Sequence, residues 1–182
     1  MKEKFTSFYF DVAKRVAELS HAERLKVGAV IVKDHRILSY GYNGMPAGFD
    51  NVCENVERTF DERDTYFERD EWTYDKKRKH YTRLRTKPEV IHAEMNAIAK
   101  VAFHGDSCKN ATMFLTHSPC VECAKMILQS GINDVWYIQD YRSKDGINLL
   151  KAGKVIVIKE REKTDEQEDP VLYASTKLSR NY

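Results

Sequence analysis

The second half of the chain alternates between two hydrophobic periods, and that alternation constrains its fold more than any other feature. "HAEMNAIAKVAF" (92–103) places apolar residues at helical spacing and ends before Gly105; "ATMFLTH" (111–117) is a short apolar strand. "CVECAKMILQS" (120–130) is again helical and meets Gly131, "DVWYIQ" (134–139) is a strand, "KDGINLLKA" (144–152) is a short helix stopped at Gly153, and "KVIVIK" (154–159) is a strand. A glycine just past the last periodic residue adopts the left-handed turn that ends a helix at no steric cost. Strands alternating with helices predict an α/β layered domain with a partly parallel sheet.

The first half adds a helix and a hairpin. Phe5, Phe8, Tyr9, Val12, Val16 and Leu19 repeat at helical spacing. "VGAVIV" (27–32) and "RILSYGYN" (36–43) flank the turn "KDH" and read as two paired strands, and "NGMPAGFDN" (43–51) is a Gly-, Pro- and Asn-rich loop.

Residues 54–87 have a different texture, with 19 charged side chains in 34 positions and six aromatics among them. Nine acids and three bases fall in 54–75, and seven bases with no acid in 76–87. This reads as a solvated helical insertion whose two limbs attract each other. A lid over a site is the functional alternative, since long insertions beside a site often cover it. Residues 1–159 are thus expected to form one domain carrying this insertion, and 160–182 a polar tail.

A length of 182 residues suffices for one substantial core. The formal charge of +2 gives no global support for binding a polyanion, so an obligate nucleic-acid partner is not expected. No apolar run is long enough to span a bilayer, and the N-terminus does not read as a signal peptide, so a cytoplasmic location is expected. Four cysteines are too few for a disulfide scaffold, and a C-x-x-C pair in a reducing compartment more often binds metal or does redox work.

His92, Cys120 and Cys123 supply the metal reading. The two cysteines stand three apart, one turn along a helix, so both sulfurs reach one ion. Together with His92 they make three protein ligands, the number of a catalytic zinc whose fourth position is open to water. Pro119 precedes the helix, and unpaired N–H groups in its first turn favour thiolates over thiols. Glu94, two residues past the histidine, need not touch the metal and is placed to carry a proton. H-x-E followed by P-C-x-x-C resembles the signature of the zinc nucleobase deaminases.

"HAEMNAIA" with "SPCVECAKMILQSGI" resembles the cytidine deaminase superfamily, and "VGAVIV" with "GYNGMPAGFDN" resembles its dCMP deaminase branch, including phage members. The resemblance covers about residues 5–53 and 88–158, and leaves 54–87 without a counterpart. It implies a three-layer α/β/α fold around a mixed five-stranded sheet, and hydrolysis of dCMP to dUMP and ammonia. It further implies Zn²⁺ on His92, Cys120 and Cys123, Glu94 as proton shuttle, the Ala93 N–H on the base carbonyl and the Ser118 carbonyl on the amine. Asn43 would hold the sugar, although an Asn before Gly44 also suits a plain turn. Lys26 and Arg24, or Tyr141, Arg142 and Lys144, are offered for the 5′-phosphate. A homo-hexamer regulated by dCTP and dTTP with Mg²⁺ is implied too, with the effector at the 44–51 loop (Gly44, Met45, Asn51). Cys53, His80 and His21 are the pieces available for a second zinc, in no familiar spacing.

Other readings share the zinc centre: an enzyme that also takes dCTP, a tRNA adenosine deaminase, a free-cytidine deaminase, or a polynucleotide cytidine deaminase. A zinc-organised scaffold without turnover would lack Glu94 or add a fourth ligand, and the sequence does neither.

Overall fold

The computed structural model describes residues 2–160, with side chains for all of these except 66–70. Apart from Glu160, the tail expected at 160–182 lies outside the described residues.

Helix α1 (Glu3–Ala17) buries Tyr9, Phe10, Ala13 and Val16 along one stripe. Strands β1 (Gly28–Lys33) and β2 (Arg36–Tyr42) then pair antiparallel. Asp34 and His35 connect them with φ of 50° and 62°. Two successive left-handed residues make the hairpin turn whose twist matches that of the strands.

The later elements are α2 (Ala93–Phe103), β6 (Thr112–His117), α3 (Val121–Gln129), β7 (Asp134–Gln139), α4 (Asp145–Ala152) and β8 (Ile156–Lys159). Together the strands form a mixed five-stranded sheet in the order β2-β1-β6-β7-β8, with β6, β7 and β8 mutually parallel and β1 antiparallel to β6. The expected stops hold at Gly105 and Gly131, whose φ values are 74° and 77°. Gly153 differs: its φ is −77°, and Lys154 takes the left-handed position at 66°. Gly153 is glycine for space, because a Cβ there would lie 2.3 Å from Leu128 of α3.

Alternation along the strands splits the core into two layers. Val30, Val32 and Phe114 face α1 and pack on Tyr9, Phe10 and Ala13. Ala29, Ile31, Met113, Leu115 and Val135 face the other way, onto residues of α2, α3 and α4. This is the three-layer arrangement around a mixed sheet that the resemblance implies.

The insertion corrects the sequence reading. Residues 54–87 are not an α-helical insertion: they form a second antiparallel sheet of three strands, with the last in sequence at its centre. Its strands are β3 (Glu54–Thr59), β4 (Thr73–Asp75) and β5 (His80–Thr86), with a 3-10 segment at Glu62–Glu71 between the first two. The attraction between the limbs is real. Glu57 on β3 lies opposite Arg83 on β5 and bonds its Nε at 2.6 Å, with Arg85 at 3.5 Å from the other carboxylate oxygen. Cross-strand pairing satisfies these charges side by side, which a helix would have left facing solvent.

Candidate active site

The site forms at the ends of the inner strands of the central sheet. Because β1 runs antiparallel to β6, the chain entering β1 lies beside the chain leaving β6, and Gly28 donates its N–H to Thr116 at 3.1 Å. Beside them, His117 at the end of β6 is in register with Gln139 at the end of β7. Loops from several elements therefore converge there, as parallel α/β strands dictate. They enclose a cleft of about 360 Å³ lined by Arg24, Asn43, Thr86, His92, Glu94, Ser118, Cys120, Tyr141 and Arg142, among others.

His92 and Cys120 are the residues immediately before α2 and α3, and Cys123 lies in the first turn of α3. His92 Nδ1 is 3.5 Å from Cys120 Sγ and 3.3 Å from Cys123 Sγ. All three ligand atoms lie within 4.8 Å of one another, the one such group among the described residues. Tetrahedral zinc, with bonds of about 2.3 Å to sulfur and about 2.1 Å to nitrogen, needs S···N edges of ~3.6 Å. The donor set and its spacing fit that ion.

Two glycines set the position of these ligands. A Cβ on Gly146, in the first turn of α4, would lie 2.1 Å from the Pro119 carbonyl oxygen and 2.8 Å from the Cys120 carbonyl. A Cβ on Gly41 of β2 would lie 2.2 Å from the Ala93 carbonyl. Only glycine lets α4 reach the cysteine turn and β2 reach the first turn of α2.

The electrostatics suit a cation. Hydrogen bonding by Cys123, joined by His92, brings the Cys120 thiol down to about 3. Its bond to Cys120 and its burial push Cys123 the other way, so the pair retains a proton that a bound metal would displace. His92 is raised, chiefly by its bond to Cys120. Glu94 is 4% exposed, and burial raises its carboxyl above the usual range. A buried carboxyl that holds and releases a proton readily is what general acid–base work requires.

Other expected residues fall on both sides of the cleft wall. Ser118 is buried, and its hydroxyl accepts from the Tyr141 N–H at 2.7 Å, fixing the loop after β7. Asn43 lines the cleft while bracing it: Oδ1 accepts from the Val27 N–H and Nδ2 donates to the Leu25 carbonyl, both at 2.8 Å. Lys26 and Lys144 are exposed and do not line the cleft; its cationic residues are Arg24 and Arg142. Gly44 is bridged to Ile91 through two backbone bonds, Met45 packs on Ala22, Cys53 and Val90, and Asn51 is exposed. Cys53, His80 and His21 form no metal-ligating group among the described residues. Cys53 is in that apolar cluster, His80 sits 5.6 Å from the Phe60 ring, and His21 is exposed.

Sequence reasoning missed Gly41, Gly146, Thr86 and Glu71. A Gly-containing first helical turn, "KDGINLL", was the one local sign of Gly146. Glu71, in the insertion, bonds both cleft arginines, and nothing near it in sequence signals that.

The chain resembles known proteins across most of its length. Residues 3–139 match the family model for the cytidine and deoxycytidylate deaminase zinc-binding region. The deoxycytidylate deaminase of Enterobacteria phage T4 is 37% identical over 156 residues, covering 77% of this chain and 81% of the relative. The Homo sapiens deoxycytidylate deaminase is 31% identical over 145 residues, covering 78% and 69%. Among solved structures, the dCMP deaminase of cyanophage S-TIM5 in complex with dCMP and dUMP superposes with a TM-score of 0.71 at 36% identity, over 88% of this chain and 99% of that one. With a His–Cys–Cys group spaced to hold a metal and a three-layer fold, this chain belongs to the cytidine and deoxycytidylate deaminase family and is a deaminase of the phage type.

Proposed function

We propose that the protein hydrolyses dCMP to dUMP and ammonia, supplying dUMP for thymidylate synthesis. The observation that carries this reading is the His92–Cys120–Cys123 triad beside the buried Glu94, in a cleft that also presents two arginines. Zinc held by that triad supplies a Lewis acid that lowers the pKa of water towards about 7. Glu94 takes one proton from water as the water oxygen bonds to C4 and delivers that proton to N3 of the pyrimidine. It then carries the second, from the new C4 hydroxyl, to the amine, which leaves as ammonia as the C4 carbonyl forms. The Ala93 N–H orients the base carbonyl and the Ser118 carbonyl accepts from the amine. Asn43 meets the sugar with the remaining capacity of its amide. Arg24 and Arg142, with Tyr141 beside them, receive the 5′-phosphate, and forked guanidinium donors suit its oxygens better than lysine does.

Residues 1–159 act as one deaminase unit with its insertion, in the cytoplasm, as a homo-oligomer of hexameric form. No helix among the described residues is long and apolar enough to cross a membrane. The Gly44–Asn51 loop is the place for a dCTP or dTTP effector with Mg²⁺, since the Gly44–Ile91 bridge joins it to the residue preceding His92.

The test is deamination of cytidine, dCMP, dCTP and single-stranded DNA side by side, with Glu94→Gln as control. Turnover of dCMP, lost by at least about 10²-fold in the variant while zinc is retained, is expected. An active variant, or turnover of single-stranded DNA in preference to dCMP, would overturn the reading. A saturation curve unmoved by dCTP and dTTP would remove the effector.

A further inference from the structure

Two guanidinium groups converge at the cleft from distant parts of the chain: Arg24 before β1 and Arg142 after β7. Both donate to the same atom, Oε1 of Glu71, at 2.8 Å in the case of Arg142 Nη1. Glu71 ends the 3-10 segment of the inserted sheet, and its side chain is 29% exposed. The insertion grips Arg24 a second time. Glu54, buried at the start of β3, accepts from the N–H groups of Glu23 and Arg24 at 3.3 Å each. Arg24 is therefore positioned through both its backbone and its head group by residues 54–87.

Converging guanidinium groups are complementary to an oxyanion with several acceptor oxygens, and one carboxylate oxygen uses only part of their capacity. We propose that Glu71 is a specificity residue that filters ligands by charge at this end of the cleft. It holds the arginine pair in place of a phosphate, yields it to a terminal phosphate, and repels a longer phosphate chain. This rests on the nucleotide reading above. A terminal phosphate carries about −1.5 to −2 at neutral pH, against −1 for the carboxylate, so it displaces Glu71 from the arginines. In a triphosphate the α-phosphate brings one charge to the arginines. The β and γ groups then bring their further charges towards the Glu71 carboxylate that neighbours the two arginines.

The experiment compares the full-length metal-loaded protein with Glu71→Gln, which keeps the shape and removes the charge. Asp61→Asn, an acid of the same insertion that pairs with Arg63 rather than with either cleft arginine, serves as control. Steady-state kinetics are read on deoxycytidine, dCMP and dCTP, and calorimetry on inorganic phosphate. In Glu71→Gln, KM is expected to fall about three- to tenfold for dCMP and about tenfold or more for dCTP, not at all for deoxycytidine, with the change in KM rather than kcat. Phosphate binding tightens by a similar factor, and Arg142→Ala removes that gain.

A rise in KM for dCMP would mean that Glu71 organises the arginines for substrate and would overturn the filter. So would an equal change for all three ligands, an equal effect of Asp61→Asn, or unchanged phosphate binding. If dCMP is inert with every form while phosphate binding still tightens, the substrate reading fails and the role of Glu71 stands.

Discussion

The central sheet and the inserted sheet border the same cleft, but different forces hold them together. The central sheet is a buried apolar structure: Ala29, Val30, Ile31, Met113, Phe114 and Leu115 are all fully buried. In β3, Asn55, Val56 and Arg58 are exposed, and the pairing leans on Glu57 with Arg83 and Arg85. A further support is the Arg83 guanidinium, 4.6 Å from the centre of the Trp72 ring. The division of labour follows. The core sets the His92–Cys120–Cys123 group and Glu94, where geometry tolerates little error, whereas the charged insertion holds Arg24 and Arg142, which on the proposed reading meet the ligand's charged end. Changes on the core side should act on metal content and kcat, and changes on the insertion side on KM.

The sharpest way to break this contrast is at Gly146. Valine there drives a side chain into the Pro119 and Cys120 backbone, so zinc content should fall and activity should drop about 10²-fold or more, read by metal analysis and assay. Retention of full zinc and activity would show that the core side is more forgiving than its packing implies. Next in size is a matched pair of truncations. Leu115→Ala in the fully buried core should cost ~2–5 kcal/mol of global stability by denaturant unfolding. Leu84→Ala on half-buried β5 should cost about 1 kcal/mol or less.

A smaller effect should come from salt. Near 1 M the screening length shrinks to about 3 Å. Amide exchange should then quicken in β3 and β5 while β1 and β6 stay protected; uniform behaviour would erase the distinction between the sheets. The smallest effect is acidic. The hydrogen bond from Arg83 holds the Glu57 carboxyl below its usual range. With the folded value below the unfolded one, the stabilisation is complete above about 4.3 and vanishes as pH falls through the lower folded value. Protection of the β3 amides, taken relative to the intrinsic exchange rate at each pH, should therefore fall in acid, and Glu57→Gln should flatten that fall.

What the sequence made legible follows the range of the interactions. The helix at 120–130 and its stop at Gly131 rest on neighbours within a turn or two, so periodicity and one glycine sufficed. The convergence of His92, Cys120 and Cys123 was legible because ligand chemistry restricts the residue types and helix geometry restricts the spacing. The insertion was misread because a charged strand is solvated on its own and becomes a strand only opposite a charged partner. "HYTRLRT" does alternate, but its alternation was masked by "KKRKH" before it. Glu71 sits 47 residues from Arg24 and 71 from Arg142. No local pattern reports a meeting at that distance, and Gly146 acquires its meaning only when α4 docks on the cysteine turn.

The inserted sheet leaves and re-enters the parent fold at a single point. Glu54 is paired with Thr86, and the Lys87 N–H bonds the Cys53 carbonyl at 2.9 Å. Ends that meet make this segment a detachable module: a short turn joining Cys53 to Lys87 would span the gap without dragging on the core. Such a minimal chain would keep its triad and lose both grips on Arg24. Grafting other loops onto the same two anchor points would give a route to deaminases of altered ligand choice on an unaltered catalytic floor.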